Sequence, residues 1–401
     1  MADVHLRYLN EVHCKIIAEP SIVMELSDHF TYFADNYKFS PKYKAKFWDG
    51  KIRLVNTLSG VVYAGLSQQI KKFCDARGYS FSFDPELYHS DVSEYELNEF
   101  ITSLNLPMAP RDYQVKSLLK CVRSNRRLVL SPTGSGKSLL IYMLLRWYSK
   151  KTLLIVPTIN LVNQMASDFR EYGYTGTIHA STDGLSKSEN IDCDICITTW
   201  QSLNNGKTKK PKSWYDQFEV VIGDEAHGMK ADSLIQILSS LDRCKYRFGT
   251  TGTLGSNILN QITIEGLFGP QYKATSTTEL MEQNHLSKLK IKCIVLKYPP
   301  ELCKLMKTKT YHEEIEFLAK CEARNKFIAN LTLSLSGNKL IFFKMIEHGK
   351  ILYDLISSKS PDNTFYIDGS VKGIDREAIR KAIEEEHNAN LLGSLGTVHG
   401  C

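Results

Sequence analysis

The stretch Ser131-Pro132-Thr133-Gly134-Ser135-Gly136-Lys137-Ser138 follows a short apolar run, Leu128–Leu130, and precedes an apolar-periodic segment that reaches about Tyr148. Strand, glycine-bearing loop and helix in that order leave the chain little choice. The loop must swing it sharply from sheet to helix, and its glycines let successive backbone N–H groups curl round an anion at the helix N-terminus. This is the pattern of a phosphate-binding loop. Its candidate nucleotide-binding residues are Thr133, Gly134, Ser135, Gly136, Lys137 and Ser138. Lys137 can reach the β- and γ-phosphates of a nucleotide, and the Ser138 hydroxyl can ligand Mg²⁺. Ser131 stands where the usual pattern has its first glycine.

A second motif supplies the context that the loop needs. Glu219–Gly223 reads as a buried strand, and Asp224-Glu225-Ala226-His227 follows at once. An acidic pair at the end of an apolar strand is costly unless it meets a metal or a cation. In a nucleotide site the two carboxylates divide the work. Asp224 holds Mg²⁺, usually through water, and Glu225 orients and deprotonates the attacking water. His227 is placed to sense the γ-phosphate side. Read alone, the same residues would be an exposed acidic turn before a helix.

At 401 residues the chain is expected to hold two or three domains. No apolar run approaches the length of a membrane span, and Met1–Arg7 lacks the apolar core of a signal peptide, so a cytoplasmic protein is expected. Ten scattered cysteines fit a reducing compartment. Cys193 and Cys196 form a lone C-x-x-C in an apolar run, which reads as two core-facing strand thiols rather than a metal or redox pair. The net charge of +6 permits a polyanionic partner without demonstrating one.

Residues 1–90 read as a small α+β domain. From 91 to 285, after a connector ending at Pro107 and Pro110, strands at Leu128–Leu130, Leu153–Val156, Ile195–Thr198, Val220–Gly223 and Tyr246–Gly249 alternate with helical segments such as Asn160–Glu171 and Asp232–Leu241. That alternation predicts a parallel sheet with helices on both faces. Ligands of such sheets bind beyond the carboxyl ends of the strands, where the polar motifs fall. Residues 286–401 read as a second α/β unit, with strands at Leu289–Lys297, Asn338–Phe343 and Thr364–Ile367, helices at Ile346–Ser357 and Asp375–Glu386, and a last strand starting at Leu391.

These motifs, in this order, resemble those of superfamily 2 DNA helicases over the whole chain, and the wording around them is similar to the recombination helicases of T-even phages. The resemblance implies an α/β fold: a RecA-like P-loop motor domain, a second and partial RecA-like domain, and a small N-terminal DNA-contacting domain. It implies ATP with Mg²⁺ between the two motor domains. Arg111, Tyr113 and Gln114 resemble the adenine-reading motif. Thr158, after Pro157, and Thr199 with Gln201 resemble motifs that grip the nucleic-acid backbone, and Thr251 and Thr253 resemble the motif coupling ATP to strand movement. In the second unit Gly393–Thr397 looks like the start of a motif contacting DNA and nucleotide, but the pattern breaks off in Val398–Cys401 and the final arginine motif, Q-x-x-G-R-x-x-R, does not follow. A chain truncated in its second motor domain is expected, able to bind ATP and with efficient hydrolysis left open. The implied substrates are branched DNA (forks, Holliday junctions and R-loops) handled by a monomer in the host cytoplasm, alongside recombination or replication proteins.

The richest mixture of basic and aromatic residues is Tyr37–Arg53. Lys42, Lys44 and Lys46 alternate, so on a strand they would share one face and could meet phosphates. The expected compromise has Phe39, Tyr43, Phe47 and Trp48 packed inside and the lysines on DNA. Lys207–Lys212 reads as a solvated basic loop. Three rivals stay open: a small-molecule P-loop kinase, an ATP- and DNA-binding fragment without turnover, and an RNA helicase.

Overall fold

Val4, Leu6, Cys14 and Ile16 alternate with polar neighbours, and in the computed structural model they are buried on one face of a four-stranded sheet. The structure describes residues 2–87, 91–181, 191–203, 210–226, 231–371 and 373–395. The first sheet runs in the order Val61–Tyr63, His13–Ala18, Val4–Tyr8, Phe81–Phe83. Its first three strands are antiparallel and the last lies parallel to Val4–Tyr8. The helices Pro20–His29 and Ser67–Arg77 lay Leu26, Ile70 and Phe73 on the same core. A separate antiparallel pair, Thr31–Phe33 with Lys51–Arg53, carries residues 34–50 as an excursion between its strands.

The excursion overturns two expectations. Pro41–Lys44 is a single helical turn, and Lys46 sits in the left-handed region at φ 58°, so Lys42, Lys44 and Lys46 share no strand face. Proline at the first helical position favours that turn. Phe39 and Phe47 are not packed inside but are 74% and 88% exposed.

The main sheet has seven strands, all parallel, in the order Gln271–Lys273, Arg126–Leu130, Tyr246–Thr251, Val220–Gly223, Thr152–Val156, Ile195–Thr199, Ile178–Ala180. The central strands are buried on both faces, which is why they read as continuous apolar runs rather than alternating ones. Leu154, Val156 and Ile197 pack beneath the helices Asp112–Ser124, Lys137–Tyr148 and Ile159–Glu171. Leu153, Ile155 and Cys196 face the other way, toward Ala231–Ser240 and Ile258–Phe268. Cys193 joins that second core as well, so both thiols face the core as expected, but only Cys196 lies on the strand, which starts at Ile195.

The chain divides into two compact units, residues 1–289 and 290–401. Within the first, the N-terminal part is fastened to the domain of the seven-stranded sheet at three points. Arg126 donates to the Glu11 carboxylate and backbone carbonyl, both at 3.1 Å. Gly65 lies so close to the backbone of the helix Ile258–Phe268 that a Cβ there would sit 2.4 Å from the Glu265 carbonyl oxygen. Asn257, which caps that helix, donates to Asp35 at the root of the excursion.

The second unit is a three-stranded parallel sheet ordered Lys339–Phe343, Asn390–Ser394, Thr364–Ile367. Phe343 and Leu392 pack with Ala329, Leu352 and Ile356 from the helices Glu322–Ser334 and Ile346–Ser357. The apolar alternation of Leu289–Lys297 forms no strand, and Leu289, Ile291 and Val295 are exposed. A strand needs a hydrogen-bonded neighbour, and the three described strands of this unit pair only with one another.

Candidate nucleotide and nucleic-acid site

Strand Arg126–Leu130 ends at Ser131, whose N–H donates to the Thr251 carbonyl at 2.8 Å and so ties the loop to the neighbouring strand. The loop then turns through two left-handed glycines, Gly134 at φ 77° and Gly136 at φ 74°. Neither tolerates a side chain: a Cβ on Gly136 would lie 2.5 Å from Gln114 Nε2, and one on Gly134 would lie 2.6 Å from Leu286 Cδ2. The helix Lys137–Tyr148 starts at once, aiming its N-terminus into the loop. Ser131, the departure from the usual glycine, has a local use. Its hydroxyl donates to the Ser135 hydroxyl at 2.7 Å across the turn, and both residues are buried.

The Arg111–Gln114 segment braces the loop from outside. Gln114 Nε2 donates to the carbonyls of Ser135 and Gly136 at 3.1 and 3.0 Å, and its Oε1 accepts from the Arg111 N–H at 2.8 Å. The Tyr113 hydroxyl donates to the Ser135 carbonyl and accepts from Arg111, both at 2.8 Å. Gln114, read in sequence as facing adenine, bonds two of the loop's carbonyls in this structure and so fixes the loop's path.

The acidic motif meets the loop directly. Lys137 donates to Glu225 Oε1, and the second oxygen of Glu225 accepts from the Gly252 N–H at 3.3 Å. One carboxylate therefore joins the phosphate loop, the acidic motif and the Thr251–Thr253 turn. Glu225 adopts φ 47°, a left-handed conformation that a non-glycine residue holds only where its surroundings enforce it. Asp224 is 3% exposed, and burial pushes its carboxyl above the ordinary range, opposed by the Thr250 hydroxyl, which donates at 2.6 Å, and by nearby Lys137. The Thr251 hydroxyl donates to the Thr253 carbonyl at 2.7 Å and closes that turn. His227 lies outside the described residues.

The remaining strand-end residues lie along the same edge. Thr158 caps the helix Ile159–Glu171, its hydroxyl accepting from the Leu161 N–H at 3.4 Å. Thr199 is buried and its hydroxyl accepts from the Ser202 N–H at 3.3 Å. Gln201 is exposed and donates to the Pro157 carbonyl at 3.4 Å, which brings the two backbone-gripping candidates together. Lys42, Lys44 and Lys46 are exposed on the N-terminal excursion. The basic loop before Trp214 departs from expectation where it is described: Lys210 is buried over the Trp214 ring at 5.6 Å, and Lys212 pairs with Asp216 and Asp242.

Residues 3–84 match the family described as DNA helicase UvsW, N-terminal, and residues 107–256 match that described as type III restriction enzyme, res subunit. The chain is 34% identical to the ATP-dependent DNA helicase uvsW of Enterobacteria phage T4, over 98% of this chain and 81% of the phage protein. The chain belongs to the UvsW family of superfamily 2 helicases. The crystal structure of T4 UvsW superposes with a TM-score of 0.61 at 32% identity, covering 98% of this chain and 80% of that one. A DNA 3'-5' translocase, XPB2 of Sulfurisphaera tokodaii, is 28% identical over 50% of this chain and 44% of its own length.

Several groups that matter in this UvsW-family site carry no signal in the sequence. Thr250, beside the expected Thr251, is the residue bonded to Asp224. The Tyr172 hydroxyl lies 3.0 Å from the Ser138 hydroxyl, and Asp168 also bonds Ser138, with burial raising the Asp168 carboxyl. Both come from the far end of the helix Ile159–Glu171 and its cap, well downstream of the loop, so only the folded chain brings them to it. As a metal site the arrangement suits Mg²⁺, which takes one or two protein oxygens and completes its shell with phosphate and water. Ser138 and the buried, weakly compensated Asp224 are the donors present, and the described residues hold no cluster of three or more His, Cys, Asp or Glu.

Proposed function

We propose that this UvsW-family chain, an ATP-dependent DNA helicase by its family, hydrolyses ATP at the Lys137–Glu225 pair and uses the cycle to move along branched DNA. The convergence of three motifs on the Glu225 carboxylate carries this reading: Lys137 holds one oxygen and Gly252 the other. An incoming γ-phosphate competes for Lys137. Glu225 is then released to orient water and take its proton, and the Gly252 turn feels the change through the second oxygen. Ser138 and Asp224 would hold Mg²⁺, which supplies charge neutralisation for the transferring phosphoryl group. Arg111 and Tyr113 border the loop where a base would lie. Thr158 and Gln201, with the buried Thr199 holding the turn beneath them, grip the sugar-phosphate backbone and read no bases, which suits a motor that must travel over any sequence. The protein works as a monomer in the cytoplasm of the host cell.

The test is ATP hydrolysis with and without forked DNA, beside Lys137→Ala. Fork-stimulated turnover that the variant lacks is the expected outcome. Turnover indifferent to nucleic acid would point instead to a small-molecule kinase, and binding of both ATP and fork without turnover to a fragment that only binds. Stimulation by RNA in preference to DNA would overturn the substrate assignment.

A further inference from the structure

The excursion between Thr31–Phe33 and Lys51–Arg53 is built as a platform that presents bare rings. Part of it is held together by a small, half-exposed cluster of rings. Phe33 stacks on Tyr37 with centroids 4.6 Å apart, and Tyr37 meets Tyr43 edge-on at 4.9 Å. The Tyr37 ring lies so near Gly50 that a Cβ there would fall 2.4 Å from it. At the base the Trp48 indole donates to the Lys51 carbonyl at 2.9 Å, and Asp49 pairs with Arg53 at 2.6 Å. Asp35 ties the root to Asn257 of the motor domain.

A unit pinned in this way could have buried Phe47, yet it extends the ring into solvent at 88% exposure, just after the left-handed Lys46. Phe47, Tyr43 and Trp48 line a cavity of about 550 Å³ together with Lys38, Lys44 and Lys46. That volume is within the range of ligand-sized sites. Rings alone would suit many apolar partners. Rings interleaved with exposed lysines suit a ligand that is flat and apolar on one face and anionic along its edge, which describes an unpaired nucleotide in a strand. In a duplex the bases are stacked on each other and offer the rings nothing, so only the lysines would find a partner.

We infer that the Tyr37–Arg53 excursion is a base-stacking site for unpaired DNA at a branch point, with Phe47 as the stacking ring and Lys44 and Lys46 on the flanking phosphates. This rests on the reading of the chain as a DNA motor and gives that motor its preference for junctions. The lysines supply affinity for any DNA, and the ring supplies discrimination for a fork over a blunt duplex.

The experiment uses the full chain and a fork carrying 2-aminopurine at the first unpaired position, with a blunt duplex of equal length for comparison. Wild type should quench the probe on binding. Phe47→Ala should lose the quench and lose about tenfold in fork-over-duplex preference, the size expected of one base–aromatic contact. Phe47→Trp should restore both, and an unaltered thermal melt for each variant excludes a folding defect. Lys44→Ala with Lys46→Ala should weaken both DNAs and flatten the salt dependence. Undiminished quench and preference in Phe47→Ala would overturn the inference while leaving the motor reading intact. Absence of fork binding and of DNA-stimulated turnover in wild type would instead remove the motor reading on which the inference stands.

Discussion

The Tyr172 hydroxyl sits 3.0 Å from the Ser138 hydroxyl. If Ser138 is the loop's donor for Mg²⁺, as proposed, its oxygen is engaged before any nucleotide arrives, and binding must exchange one partner for another. Tyr172→Phe removes the competitor and keeps the ring against Tyr142. Affinity for Mg²⁺-nucleotide should rise about two- to tenfold, the equivalent of one neutral hydrogen bond of about 0.5–1.5 kcal/mol. A Mg²⁺ titration of nucleotide binding measures this, and unchanged or weaker affinity would show that Tyr172 orients Ser138 rather than competing for it.

Glu225→Gln keeps the size of the side chain and its oxygen toward Gly252 while removing the base. Turnover should fall by about 10²–10⁴-fold with nucleotide affinity changed only a few-fold. Steady-state hydrolysis beside equilibrium nucleotide binding separates the two. A parallel loss of affinity would mean that the Lys137 pair shapes the pocket more than it serves the chemistry.

Arg126 and Glu11 are 10% and 17% exposed at the side chain, and burial lowers the affinity of Arg126 for its proton against the pull of Glu11. Glu11→Ala would strand a buried guanidinium, at a cost of about 3–5 kcal/mol. Lys150 and Glu219 also pair, but at roughly half exposure, and Glu219→Ala should change stability by less than about 1 kcal/mol. Denaturant midpoints of the two variants should differ accordingly, and equal midpoints would contradict the buried character of the first pair.

In the second unit the Glu313 carboxyl is held down to about 2 by the Thr310 backbone N–H, then by the Thr310 hydroxyl and Lys309. Since the folded chain binds this proton more weakly than the unfolded chain, whose value is near 4.5, the cap stabilises its helix fully above that value. The contribution is lost as pH falls toward 2. Amide exchange across Tyr311–Lys320 should accelerate, relative to the intrinsic rate, through that window; Glu313→Gln, which removes the titrating group, should abolish the dependence, and Thr310→Ala, which keeps the backbone donor, should only weaken it.

The motor sheet was legible because its strands are buried on both faces and its motifs are strictly placed. Lys137 and Glu225, eighty-eight positions apart in sequence, were expected in one site and bond each other. What escaped had physical causes. The edge strands Ile178–Ala180 and Gln271–Lys273 have three residues each, too few for any period to show. The lysines at 42, 44 and 46 alternate as a strand would, but Pro41 seeds a helical turn and Tyr43 turns edge-on to Tyr37 rather than into a sheet. Leu289–Lys297 has the strand pattern without a strand to pair with. Thr250, Asp168 and Tyr172 are ordinary residues brought against the candidate site by tertiary approach alone.

Glu11 with Arg126, Gly65 against the Glu265 carbonyl, and Asp35 with Asn257 join residues 1–90 to the domain of the seven-stranded sheet at three separate points. Three points fix a rigid body. A pull on the outer excursion therefore has three separate routes into the elements beneath the phosphate loop, as in a tool whose handle is pinned to its blade more than once. The ring at Phe47 is thus mounted on the same body as the phosphate loop, and what it meets is felt there through all three contacts.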